Sequence, residues 1–153
     1  MTSSLEKWMV RYSDDHRNLD NKRIHFICVP LIFFSILGLL SQVPVHSGSI
    51  AFTLAQVLAV FALAFYLRHS PALFAGMAVI VLVFLFIIGR ISSQDILPPW
   101  LIFLFVFIGA WIGQFVGHKH EGKKPSFLTD LVFLLIGPAW ILAHIYQRFG
   151  IRY

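Results

Sequence analysis

Four of the seven histidines fall in two short polar runs, each at the edge of an apolar stretch. The first run, His16-Arg17-Asn18-Leu19-Asp20-Asn21-Lys22-Arg23-Ile24-His25, spaces two histidines and an asparagine as H-x4-N-x3-H. The second is Gly117-His118-Lys119-His120-Glu121. Imidazole is the commonest metal-ligating side chain, and imidazole with carboxylate suits iron or zinc. Helical spacing limits which of these groups can converge. His118 and Glu121, three apart, share a helix face, as do Asn21 and His25, four apart. His118 and His120 lie about 200° apart on a regular helix and cannot both point at one ion. His16 and His25, nine apart, fall on opposite faces of an unbroken helix. A shared ion therefore requires the helix to break or bend between them, around Asn18 to Asp20, whose side chains favour turns.

Each of these residues also has a plainer reading. After Asp20 the acids are only Asp95, Glu121 and Asp130, so Glu121 is conspicuous, yet it can equally be a solvated charge beside Lys119 or Lys123. His46 and His69 read as loop residues, His144 as a helix-lining residue without a ligand role, and Arg90 and Asp95 as loop charges. Trp111, Gln114 and the phenylalanines recur at helical spacing, which more often means packing or lipid contact than a cofactor box. No nucleophile elbow, P-loop, dinucleotide fingerprint or H-E-x-x-H motif occurs. No string of ionisable residues runs through the apolar segments, which argues against transport. The single cysteine, Cys28, excludes an internal disulfide and a cysteine-based metal site.

The elements that must position these groups are apolar helices. The chain is 58% hydrophobic and 12% charged, about half the usual charged share, with a mean hydropathy of +0.80. No Asp, Glu, Lys or Arg occurs in 24–67, 69–89, 96–118 or 131–147. Spanning a bilayer takes about 20 apolar residues, so the pattern predicts an integral membrane protein. The fold expected is all-α, a polytopic helical bundle with four spans: Ile24 to Leu40, Ile50 to Leu67, Ala72 to Ile88 and Leu101 to Val116. A fifth apolar helix, Leu131 to Tyr146, carries Gly137-Pro138 in its middle and is expected to kink, break or re-enter. Pro30 should kink the first span, Ser41 to Ser49 reads as a tight polar turn, and Pro71 opens the third span. Residues 1–153 form a single domain, with 1–23 an amphipathic cytoplasmic segment and 24–147 the bundle. In that segment Trp8 and Tyr12 suit either a membrane interface or packing on the domain. The segment does not resemble a cleaved signal, because acids and bases are mixed through it.

Orientation follows from the bases. With the N-terminus inside and four crossings, Lys7, Arg11, Arg17, Lys22, Arg23, Arg68, Lys119, Lys123 and Lys124 collect inside, against Arg90 outside. The start of the first span and the end of the fourth then share the cytoplasmic face, which lets His25 and His118 meet. The basic balance is a topology signal and does not imply a nucleic-acid partner. A bacterial inner membrane is the expected host, from compactness and the lack of a retrieval or transit signal.

Taken together, the two polar runs define a longer pattern. Tyr12-x3-His16-x4-Asn21-x3-His25-x4-Pro30, then Trp111-x2-Gln114-Phe115-x-Gly117-His118-x2-Glu121-x3-Pro125 and a later Gly137-Pro138, resembles the 2-hydroxy fatty acid dioxygenase family of small multi-span membrane proteins. The resemblance covers nearly the whole chain. It implies an Fe(II)-dependent dioxygenase of fatty acid α-oxidation, which uses O2 to decarboxylate a 2-hydroxy fatty acid to the acid one carbon shorter. It makes His16, His25 and His118 the essential metal ligands, with Glu121 next and His120 in reserve, and Tyr12, Asn21 and Gln114 in support. Lys22, Arg23, Lys123 and Lys124 are candidates to steer the substrate carboxylate, beside their role as topology signals. The partners implied are the 2-hydroxy fatty acid, O2 and the bilayer, with no obligatory redox protein. Two other readings stay open: another metal-dependent lipid enzyme, such as a hydroxylase or zinc hydrolase, and a non-catalytic membrane protein whose polar clusters brace helix ends.

Overall fold

The computed structural model describes residues 4–94, 97–122 and 132–153. Six helices and one hairpin follow in order: α1 (Ser4–Asp14), α2 (Leu19–Leu40), β1 (Pro44–Ser47), β2 (Ile50–Thr53), α3 (Leu54–His69), α4 (Pro71–Ser92), α5 (Pro99–Glu121) and α6 (Phe133–Arg148). Lys123, Lys124, Pro125 and Asp95 lie outside the described residues.

The helix is interrupted at residues 15–18, earlier than the expected Asn18 to Asp20, since Leu19 and Asp20 are already helical. Asn18 is the reason. Its backbone is extended and its side chain accepts from the amides of Asp20 and Asn21, so α2 starts at Leu19 and not at Ile24. The helix then runs through Pro30 for 22 residues. Likewise α4 opens with Pro71 at its first turn, capped by Ser70, whose hydroxyl accepts from the Leu73 amide.

The second expected span is corrected. Composition alone points to a helix over Ile50 to Thr53, but these residues pair antiparallel with Pro44 to Ser47, Ser47 opposite Ile50. Gly48 takes the first position of the two-residue turn with a φ of +60°, a conformation open to glycine. The helix begins only at Leu54 and is 16 residues long, about 24 Å, short of a hydrocarbon core of about 30 Å. Among the described residues, three helices are long and apolar enough to cross: α2, α4 and α5. The fifth apolar helix is not broken either: α6 continues through Gly137-Pro138 to Arg148.

Helix α2 is the centre of the bundle. About 44% of its apolar window is buried, against 22% for each of α4 and α5, whose Leu82, Phe86, Phe105 and Ile112 face outward. Exposed apolar surface on this scale marks contact with lipid or a partner. Helix α1 packs on α6: Tyr12 is buried and Trp8 sits edge-on against Phe133, ring centres 5.4 Å apart. Trp140 of α6 closes this end of the bundle, its indole N–H donating to Ser13 Oγ at 2.7 Å.

Candidate metal centre

Three buried histidines meet where α1, α2 and α5 converge. His16 lies in the break after α1, with its ring stacked on Tyr12, centroids 4.2 Å apart and planes within 20°. Its Nδ1 is 2.6 Å from the Tyr12 carbonyl oxygen. His25, inside α2, has its Nδ1 2.9 Å from the Asn21 carbonyl oxygen. A carbonyl only accepts, so in both rings Nδ1 carries the proton and donates it. The two Nε2 atoms then face one another at 2.8 Å. In neutral rings these are two opposed lone pairs, an arrangement that a cation between them resolves. His118, near the end of α5, brings its ring centre to 5.1 Å from that of His16 and 4.9 Å from that of His25. Its buried Nδ1 has no hydrogen-bond partner.

One nitrogen from each ring lies within 4.8 Å of the others. Opposed Nε2 atoms and an orphaned buried nitrogen are costly in a dry pocket, and one divalent ion would satisfy all three rings. The wiring of His16 and His25 also matches metal-ligating histidines, which donate their other N–H to a fixed acceptor. These residues fit a metal.

A cavity of about 40 Å³ adjoins the three rings, with Gln114 and Trp111 of α5 on one side and Val29, Phe33, Leu134 and Gly137 on the other. It holds a few water-sized groups and is far smaller than the roughly 300 Å³ at which ligand pockets begin. Burial raises the Tyr12 phenol above its ordinary range, so it remains a neutral O–H beside His16.

The remaining candidates fall elsewhere. Glu121, expected as the fourth ligand, is outside the converging group. Its Oε1 accepts from the Arg17 amide at 2.9 Å, and its Oε2 accepts from the Asn18 amide and from Asn21 Nδ2, each at 2.9 Å. His120 is exposed on the far side of α5, as its angle to His118 dictates. Lys22 is half-buried and Arg23 is exposed and paired with Asp20 at 3.4 Å, and neither lines the cavity. His46 is exposed in β1, and the Nδ1 atoms of His69 and His144 donate to carbonyls of their own helices. Trp140 was not singled out from sequence, yet it packs 5.8 Å from His16 and 5.2 Å from Tyr12. The only signal for it was position, two residues past Pro138 on an apolar helix.

Apolar helices with a buried three-histidine cluster at one end define a helical membrane protein carrying a candidate metal centre. A profile of the family described as 2-hydroxy-palmitic acid dioxygenase Mpo1-like matches residues 2–149, and the chain belongs to that family. The 2-hydroxy-palmitic acid dioxygenase MPO1 of Saccharomyces cerevisiae is 32% identical over 146 residues, covering 91% of this chain and 78% of the relative. No solved structure matches the chain.

Proposed function

We propose that the protein is an Fe(II)-dependent dioxygenase that converts a 2-hydroxy fatty acid to the acid one carbon shorter. The observation that carries this reading is the convergence of His16, His25 and His118 in a chain whose family is named for such a dioxygenase. These three side chains would hold the ion. Bound there, Fe(II) supplies redox chemistry toward O2 and a Lewis acid for the oxygens of the hydroxy acid. The donor count leaves positions open for both.

The reaction balances without a redox partner. R-CH(OH)-COOH and O2 give R-COOH, CO2 and H2O; the C1–C2 bond breaks and the substrate supplies all the electrons. The chain's own groups position the reactants. The Nδ1–H bonds to the Tyr12 and Asn21 carbonyls hold two imidazoles with Nε2 turned inward. Gln114 lines the same cavity and offers an amide to the hydroxy acid's polar end. Val29, Phe33 and Leu134 form its apolar wall, and the acyl chain would leave between them after the walls part. The lysines and arginines gathered near this end of the bundle, Lys7, Arg11, Arg17, Lys22, Arg23 and Lys119, support a cytoplasmic orientation for it.

The test is protein purified in detergent, analysed for metal, loaded with iron and given 2-hydroxypalmitate and O2. Stoichiometric iron and release of the acid one carbon shorter are expected. Iron-loaded protein that leaves 2-hydroxypalmitate intact overturns the reading. Zinc in place of iron redirects it to a hydrolase, because three histidines serve zinc equally well.

A further inference from the structure

We propose that Glu121 is a positioning residue, a carboxylate clamp that sets the histidine cluster from one helical turn away and does not ligate the ion. The inference rests on reading the three histidines as a metal centre. The carboxylate ties α5 to the break between α1 and α2 with three hydrogen bonds, to Arg17 N, Asn18 N and Asn21 Nδ2. Two of the three contacts are one step from a histidine. Arg17 follows His16 directly in the chain. Asn21 donates its side-chain amide to Glu121 while its carbonyl receives the Nδ1–H of His25. Glu121 itself stands three residues past His118 on the same face of α5. The clamp thus joins the same segments that the ion would join.

The division of labour follows from the amides. The Asn18 side chain takes the Asp20 and Asn21 amides, and the Asn18 carbonyl takes that of Lys22. Glu121 takes Arg17 and Asn18, so only one carboxylate completes the start of α2, at the positive end of that helix's dipole. Turning Glu121 inward to ligate would strip those two amides of their acceptor. The geometry also explains why the acid sits at this helix end and not among the ligands: a loop that must bend sharply to turn His16 back onto His25 needs an external acceptor.

Two measurements on the full chain in detergent test this. The first is amide hydrogen exchange in metal-free protein. Glu121→Gln should speed exchange at Arg17 or Asn18 roughly tenfold or more, because these two amides bond different carboxylate oxygens and Gln puts an NH2 group, a donor, in place of one of them. The second is Co(II) titration followed by visible absorption. Glu121→Gln should keep the wild-type band positions while weakening binding about 10–100-fold, as loss of a supporting group does. Asn21→Ala, which removes one bond of the three, should fall between wild type and Glu121→Gln in both readouts. Shifted bands in Glu121→Gln, or unchanged exchange at residues 17 and 18, overturn the clamp. Wild-type protein that binds no Co(II) removes the metal reading instead, and the exchange measurement still decides the clamp.

Discussion

At residue scale the centre depends on which ring nitrogen carries the proton. Two backbone carbonyls, of Tyr12 and Asn21, assign Nδ1–H to His16 and His25 and leave the Nε2 atoms opposed at 2.8 Å. Replacing any of the three histidines leaves two donors, too few to hold an ion in competition with water and buffer. His16→Ala and His118→Ala should therefore emerge from purification without stoichiometric metal, whereas His46→Ala and His120→Ala, both exposed, should retain it. Elemental analysis of detergent-purified variants checks this, and metal retained in His118→Ala would mean that the site lies elsewhere. Sequence spacing located these groups because polar residues are few and the apolar segments isolate them. Spacing put Glu121 on the face of His118 but does not report which donors reach its carboxylate, here the Arg17 and Asn18 amides and the Asn21 side chain.

At the scale of elements the centre requires α2 and α5 to cross closely. At Gly113 an added methyl would stand 2.6 Å from Cys28 Sγ, and at Gly117 it would stand 2.5 Å from Asn21 Oδ1. Gly113→Ala should cost up to about 2 kcal/mol, the overpacking penalty less the gain in helix propensity. Adding Cys28→Ala to that variant should recover most of it. Thermal unfolding in detergent measures both, and a single variant as stable as wild type would show that the seam has slack. The break after α1 was legible because the ligand geometry demanded it and Asn18 is a strong capping residue. The hairpin was not read, although its signals were present: glycine in a two-residue turn between Val45 and Phe52. Lack of charge hid them, since an uncharged stretch reads as helix when hydropathy alone is consulted. At Gly137-Pro138 α6 does not break. Packing of Gly137, Pro138 and Trp140 in the core keeps the helix continuous where local propensity would end it.

At the scale of the whole molecule, the centre fastens the amino-terminal segment to the far end of α5. Among the described residues, Glu121 and the three histidines make this link without any disulfide. A ligand that binds only the folded state stabilises it by about 2.7 kcal/mol at a hundredfold excess over its Kd. Chelation should therefore lower the unfolding temperature of wild-type protein, and should leave that of His118→Ala unchanged. A chelator that shifts both equally would be acting somewhere other than the cluster. The membrane class was legible from composition, and the meeting of two distant polar runs from the count of helices between them. The start of the second apolar helix was not, because the hairpin takes up Ile50 to Thr53 and α3 begins at Leu54.

The wide separation of the ligands along the chain fixes an order of events during synthesis. His16 and His25 leave the ribosome early, and His118 follows only after α2, the hairpin, α3 and α4 have been made. Until then the nascent chain offers at most a two-histidine site, so a firmly held ion marks a chain whose α5 is already in place. On the proposed reading metal capture would thus be a late step of biogenesis, and truncated or mis-inserted chains would lack the donor needed to compete for it.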